Sequence, residues 1–89
     1  MEKDIKKLRD NIDRIDSKIV SLLRRRFLVA KEIGKFKKNN GLKIRDSKRE
    51  RELLRKVSEK ARKQGIKDLK QVKKVYLKII ESCREIQRK

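Results

Sequence analysis

Two basic residues, Arg26 and Lys37, lie on the apolar face of a long amphipathic segment. Apolar residues recur at intervals of three or four between Ile5 and Leu22, and the next position in that series is Arg26. Arg26, Ile33 and Lys37 share one helix face, with the two charges about three turns apart. Two cations beside an apolar wall suit an elongated ligand with two anionic ends. On this segment alone, an alternative is that both charged groups reach solvent from the edge of a helix bundle.

A second amphipathic segment carries two carboxylates at its start. Asp46 and Glu50 are four residues apart, Leu53 follows three residues later, and Arg49 lies beside them. This spacing places two carboxylates and a cation where they can face the same interior. The alternative is that Asp46 and Glu50 only interact favourably with the N-terminus of a helix.

A third segment, at the C-terminal end, brings a neutral polar group to the same kind of face. Ile80, Cys83 and Gln87 follow one another at intervals of three and four. The Gln87 amide offers both a donor and an acceptor to a dry site. Cys83 is interpreted first as a small buried apolar residue, because free cysteine is among the most buried residue types.

Three helices are the elements that would position these residues. The apolar periodicity predicts an all-α chain with one long and two shorter helices, at about residues 3–39, 47–64 and 68–88. Gly41 and Gly65 are suited to end the first two helices. Ser47 and Glu50 predict a capping box at the second helix, and Asp68 opens the third by the same logic.

The first helix is too long for a compact domain formed by one chain. About 35 residues make a helix about 50 Å long, whereas a compact chain of this size has a radius of gyration of about 12 Å. The two shorter helices cannot cover that length. We therefore expect a single domain over residues 1–89 that pairs with a second copy in an intertwined helical homodimer.

Composition excludes several kinds of chemistry. The chain has no histidine and a single cysteine, which excludes Ser-His and Cys-His nucleophilic pairs, zinc sites and intrachain disulfides, and we expect no metal and no cofactor. The formal net charge of +18 predicts an anionic partner. The charged N-terminus and the lack of a long apolar run predict a cytoplasmic protein that does not enter membranes.

Three separate stretches resemble the AroQ class of chorismate mutases, which are all-helical enzymes. LRDNIDRIDSKIVSLLRRRFLVAKEIGKFK resembles the first helix of that family, IRDSKRERELL the start of its second helix, and IIESCREIQ the end of its third. The three matches keep the same order and register over the whole chain. The resemblance implies an isomerase that converts chorismate to prephenate, in the shikimate pathway to phenylalanine and tyrosine, by a concerted pericyclic rearrangement without covalent catalysis.

The same resemblance implies a role for each site residue. Arg26, together with Arg9 from the other subunit, would bind the two substrate carboxylates, and Lys37 with Gln87 would contact the ether oxygen. The remaining residues would hold the ring: Asp46 and Glu50 at its hydroxyl, Arg49 near that end, and Ile33, Leu53 and Ile80 as an apolar wall. Cys83 would also line the site, where the family more often has a small polar residue. Arg84 stands where an apolar residue is common.

Three other interpretations stay open at this point. A basic helical module that binds nucleic acid would explain the net charge, since phosphate contacts scale with the number of lysines and arginines. An isochorismate-pyruvate lyase would use a similar cationic pocket on the same fold. A structural coiled-coil dimer would explain the periodicity without any activity.

Overall fold

The computed structural model describes all 89 residues, and it consists of three α-helices joined by two short connections, without any strand. The helices are α1 (Glu2–Asn39), α2 (Ser47–Lys63) and α3 (Leu69–Arg88). The prediction of an all-α chain with one long and two shorter helices is confirmed. None of the helices has an apolar stretch sufficient to cross a membrane.

Two glycines end α1 and α2 in the same way. Gly41 has φ 64° and Gly65 has φ 84°, a region that residues with a side chain rarely adopt. One residue later, the Leu42 N–H donates to the Lys37 carbonyl at 2.8 Å and the Ile66 N–H to the Ala61 carbonyl at 3.0 Å. This is the Schellman motif, which satisfies carbonyl groups that the helix itself leaves without a donor.

The predicted capping box at Ser47 is wrong, because the N-cap of α2 is the preceding residue, Asp46. Asp46 has an extended backbone and is the N-cap, and its carboxylate accepts the Arg49 N–H at 3.0 Å. Its short carboxylate reaches this N–H directly, so Ser47 is already helical and Glu50 remains available for other contacts. At α3, Asp68 is the N-cap as predicted.

The third helix holds the other two together. α3 packs against both α1 and α2, whereas α1 and α2 do not pack on each other. The residues buried at these contacts are mostly small, namely Ala30, Gly34, Ser58, Ala61, Ile80 and Cys83. Small residues at these positions allow the axes of the packed helices to approach closely.

The first half of α1 extends beyond this packed region. The molecule measures 58 × 25 × 16 Å and its radius of gyration is 16.5 Å, compared with about 12 Å for a compact chain of this size. The apolar seam of the extension is open to solvent, with between 47% and 60% of each residue exposed at Ile5, Leu8, Ile12, Ile15, Ile19 and Leu22. Six large apolar residues in one stripe form an unpartnered face.

Candidate functional site

A cavity of about 330 Å³ lies between the second half of α1, the start of α2 and the second half of α3. Every residue that the sequence predicts for the site lines this cavity, except Arg9. Two further residues, Ile44 and Arg84, line it as well. The complete lining is Arg26, Ile33, Lys37, Ile44, Asp46, Arg49, Glu50, Leu53, Ile80, Cys83, Arg84 and Gln87.

At one end of the cavity, Lys37 is held by two acceptors. Its Nζ donates to the Gln87 Oε1 at 2.9 Å and to the Ile44 carbonyl oxygen at 2.6 Å. An ammonium group has three N–H bonds, so one is left for a ligand. Because the Gln87 oxygen accepts from Lys37, its amide nitrogen remains as a donor. Lys37 and Gln87 thus present two donors in a fixed arrangement before any ligand binds.

Gly34 determines how closely α3 approaches this end. A Cβ added at position 34 would lie 2.5 Å from the backbone oxygen of Gln87 and 2.8 Å from its Cα, so a larger residue would push the helices apart. The residue pattern alone does not indicate this role. The available signal was a glycine inside a helix, three residues before Lys37, at a cost of about 1 kcal/mol relative to alanine.

Arg26 contacts the α3 residue opposite it. Its Nη1 donates to the Cys83 Sγ at 2.9 Å, and Cys83 is only 4% exposed. Cys83 is therefore buried, as its residue type predicts, and it also lines the cavity. A guanidinium group has five N–H donors, so Arg26 keeps most of them for a ligand.

The two carboxylates of the cavity make different contacts. Asp46 caps α2, whereas Glu50 pairs with Arg84 of α3, through Nε to Oε2 at 3.1 Å and Nη2 to Oε1 at 3.5 Å. The Arg45 Nε lies 3.8 Å from the Glu50 Oε1 on the open side. The sequence marks Arg84 only as a departure from the family pattern, because its partner lies 34 positions away in the chain.

The electrostatic balance of the cavity favours an anion. Its lining has four cations and two carboxylates, a formal charge of +2 from one chain. Ile33, Ile44, Leu53 and Ile80 supply apolar surface between the charges. No group of three or more His, Cys, Asp or Glu side chains is arranged to hold a metal ion. The arrangement can bind and orient a small apolar molecule that carries two negative charges.

Arg9 is the predicted residue that this chain does not bring to the cavity. It lies on the exposed first half of α1, 17 positions before Arg26. At 1.5 Å per residue, that separation is about 26 Å along the helix axis, which an arginine side chain cannot bridge. A contribution of Arg9 to the site from a second chain stays a prediction.

The chain is similar to several known proteins. The family model described as "Chorismate mutase type II" matches residues 8–88. A bifunctional chorismate mutase/prephenate dehydratase of Aquifex aeolicus is 34% identical over 88 residues, which are 97% of this chain and 24% of that protein. A 3-dehydroquinate dehydratase of Pyrobaculum aerophilum is 28% identical over 80 residues, or 90% of this chain and 23% of that protein.

The chain thus spans about a quarter of the length of these two curated relatives. Among solved structures, a conserved hypothetical protein from Pyrococcus furiosus superimposes with a TM-score of 0.76 at 38% sequence identity. That match covers 93% of each chain, so it extends over all three helices.

Proposed function

The chain belongs to the chorismate mutase type II family, and we propose that it catalyses the rearrangement of chorismate to prephenate in the cytoplasmic biosynthesis of phenylalanine and tyrosine. The observation that carries this proposal is the cavity: a formal charge of +2 around an apolar wall, with Lys37 and Gln87 already fixed as paired donors. Chorismate is a dianion with an apolar ring, so its charge and its ring match the cations and the apolar wall of the cavity. The reaction is unimolecular and requires neither a proton transfer nor a cofactor.

The first contribution of the protein is selection of the reactive conformer. Chorismate in water is mostly extended, and the rearrangement requires a compact form in which the two reacting carbons meet. Arg26 would hold one carboxylate, and its contact with the Cys83 sulfur limits the positions its guanidinium can adopt. Holding both ends of the substrate converts binding energy into positioning.

The second contribution is electrostatic. Negative charge grows on the ether oxygen as its bond to carbon stretches, and donors aimed at that oxygen stabilise the transition state more than the substrate. Lys37 and the Gln87 amide would be those donors. The contact of Lys37 with the Ile44 carbonyl fixes the ammonium in advance, so little reorganisation accompanies the reaction.

The remaining cavity residues would hold the ring. Glu50, with Asp46 beside it, would accept a hydrogen bond from the ring hydroxyl, and Arg49 adds a cation near that end. Ile33, Leu53 and Ile80 would exclude water from the ring faces. No side chain in this scheme acts as a nucleophile.

The site would be complete only in a dimer. The exposed seam of α1 offers an apolar stripe to a second copy, and pairing of two such stripes about a twofold axis is the simplest way to cover both. The same pairing would carry Arg9 of one chain toward the cavity of the other. This proposal rests on the seam and on the distance between Arg9 and Arg26 within one chain.

The test is loss of chorismate absorbance with the purified chain, with Arg26→Ala and with Arg25→Ala as the matched control. Arg25 is the adjacent arginine, is exposed and does not line the cavity. We expect turnover by the wild type and by Arg25→Ala. Arg26→Ala should lose about a hundredfold or more, because it removes the cation that would pair with a substrate carboxylate.

Circular dichroism checks that both variants are folded. Unchanged turnover in a folded Arg26→Ala would contradict the site. A parallel assay with isochorismate, followed by pyruvate release, separates the mutase from the related lyase. A chain that binds DNA but turns over neither compound would favour the nucleic-acid module instead.

A further inference from the structure

Glu50 is the one carboxylate of the cavity that is held by side chains from other parts of the fold. Arg84 of α3 contacts both of its oxygens, and Arg45 approaches one of them from the connection before α2. The side chains of Glu50 and Arg84 are only 19% and 20% exposed. The other cavity carboxylate, Asp46, accepts a backbone N–H of its own helix.

This pair differs from the other ion pairs of the chain. Four of them join exposed residues three or four positions apart on one helix, and exposed pairs of this kind contribute little to stability. Glu50 and Arg84 instead join α2 to α3 at the cavity wall. A mostly buried ion pair is weak evidence for a stabilising role, because removing two charges from water costs much of what their attraction provides.

Glu50 and Arg84 both line the cavity, so their pairing affects how a ligand can bind there. A carboxylate free to rotate inside this cavity would turn toward Arg26, Lys37 or Arg49 and compete with an anionic ligand for them. A fork-shaped contact from one guanidinium group fixes the plane of the carboxylate. Each Glu50 oxygen still has a second lone pair, so the fixed group can accept a hydrogen bond from a ligand.

We propose that Arg84 is a positioning residue that determines specificity: it holds Glu50 away from the cavity cations, as an acceptor for the ring hydroxyl of the bound dianion. This inference rests on the proposed function for the identity of the ligand. Arg84 itself acts through Glu50 and needs no contact with the reacting atoms. An apolar residue at position 84, which the family resemblance predicts, would leave Glu50 without this partner.

The experiment measures equilibrium binding of two unreactive bicyclic dicarboxylates shaped like the transition state, one with the ring hydroxyl and one without it. Titration calorimetry gives the ratio of their dissociation constants for the wild type, Arg84→Gln and Arg84→Lys. Lys78→Gln is the control. Lys78 lies on α3 and pairs with a glutamate, as Arg84 does, but it is exposed and lies outside the cavity. Circular dichroism verifies folding.

We expect the wild type and Lys78→Gln to prefer the hydroxylated compound, since a site built around a hydroxyl group rejects the analogue that lacks it. In Arg84→Gln the ratio of the two dissociation constants should shift about tenfold toward equal binding. Arg84→Lys should recover only part of the preference, because an ammonium group cannot form the fork. In a Glu50→Gln background, Arg84→Gln should change the ratio no further.

An equal preference in the wild type and in folded Arg84→Gln would overturn the inference, as would a failure of the wild type to bind either compound. Turnover of chorismate by the wild type is measured in parallel. Lack of turnover with an Arg84-dependent preference would refute the proposed reaction and retain the role of Arg84, whereas turnover with an unchanged preference would do the reverse.

Discussion

The two halves of α1 have the same kind of sequence and very different surroundings. Apolar residues follow the three-four pattern in both halves, yet residues 2–22 are almost entirely exposed, whereas the second half includes buried Ala30 and Gly34 and the half-buried Arg26 and Lys37. The difference is α3, which meets α1 in this second half, at Arg26 through Cys83 and at Gly34 through Gln87. Helix formation thus follows from local sequence, whereas the burial of each half of α1 depends on whether another helix extends along it.

Length explains why α3 covers only one half. Its 20 residues span about 30 Å, and the 38 residues of α1 span about 57 Å, at 1.5 Å per residue. The second half consequently carries the cavity, and the first half carries an unpartnered seam together with Arg9. We infer that the first half serves a second chain, and the following experiments test that division.

The largest effect is expected from a charge in the exposed seam. Ile15→Glu should prevent dimer formation and lower turnover by about a hundredfold or more, because a carboxylate cannot be buried between apolar helices without a partner and Arg9 would no longer reach a cavity. Analytical ultracentrifugation and the chorismate assay measure the two effects. Ser17→Glu, nearly opposite on the same helix, is the control and should remain dimeric. An active monomeric Ile15→Glu would show that one chain suffices.

Mixing two inactive variants tests whether the two halves act in different chains. Arg9→Ala and Arg26→Ala should each lose about a hundredfold in kcat/KM. After denaturation together and refolding, the mixture should recover about a quarter of wild-type activity, because half of the dimers are mixed and each of these has one complete site. Either variant refolded alone is the control. No recovery, with mixed dimers shown by mass spectrometry, would place Arg9 outside the site.

Within the packed half, Gly34 should tolerate no larger residue. Gly34→Ala places a Cβ 2.5 Å from the Gln87 backbone oxygen, so α3 must move and the contact between Lys37 and Gln87 lengthens. We expect about 1–3 kcal/mol of lost stability, typical of overpacking, and at least about a tenfold loss of kcat. Thermal unfolding and steady-state kinetics measure these. Ala30→Gly, also at the α1–α3 contact, is the comparison: it should lose stability but retain more of its kcat.

The smallest effect is expected on the polar face of the first half. Lys6 pairs with Asp10 at 3.1 Å, and their side chains are 77% and 45% exposed. Lys6→Gln should change the free energy of unfolding by about 0.5 kcal/mol or less and leave turnover unchanged, as for other exposed pairs of this spacing. Urea denaturation measures the difference. A loss above 2 kcal/mol would mean that this face is also buried in the assembled protein.

Most of the cavity residues could be predicted because helical spacing places them on defined faces. Arg26 and Lys37 stand out as charges on an apolar face, and Gln87 as a polar residue on another, and the family resemblance links them. Helical spacing does not indicate Arg84 and Ile44, for a different reason. Arg84 lines the cavity through a partner on another helix, and Ile44 contributes a backbone carbonyl, whose direction depends on the connection after Gly41.

The predicted cap at the start of α2 illustrates the limit of local patterns. Ser47 and Asp46 are both good N-cap residues, and the capping-box spacing favoured Ser47. The contact of Glu50 with Arg84 removes Glu50 from such a box, since its carboxylate is directed toward α3. The ion pair of Glu50 with Arg84 thus occurs together with Asp46, and not Ser47, as the N-cap of α2.

The sequence by itself determined the three helices, the glycines that end two of them, and the faces on which the chemistry-bearing residues lie, because these follow from periodicity and backbone preference within a few turns. Only the tertiary structure decided which faces meet. The close approach of α1 and α3 at Gly34, the placement of Lys37 against Gln87 and the pairing of Glu50 with Arg84 depend on residues far apart in the chain. Their geometry results from packing three helices around one small cavity, which no local pattern encodes.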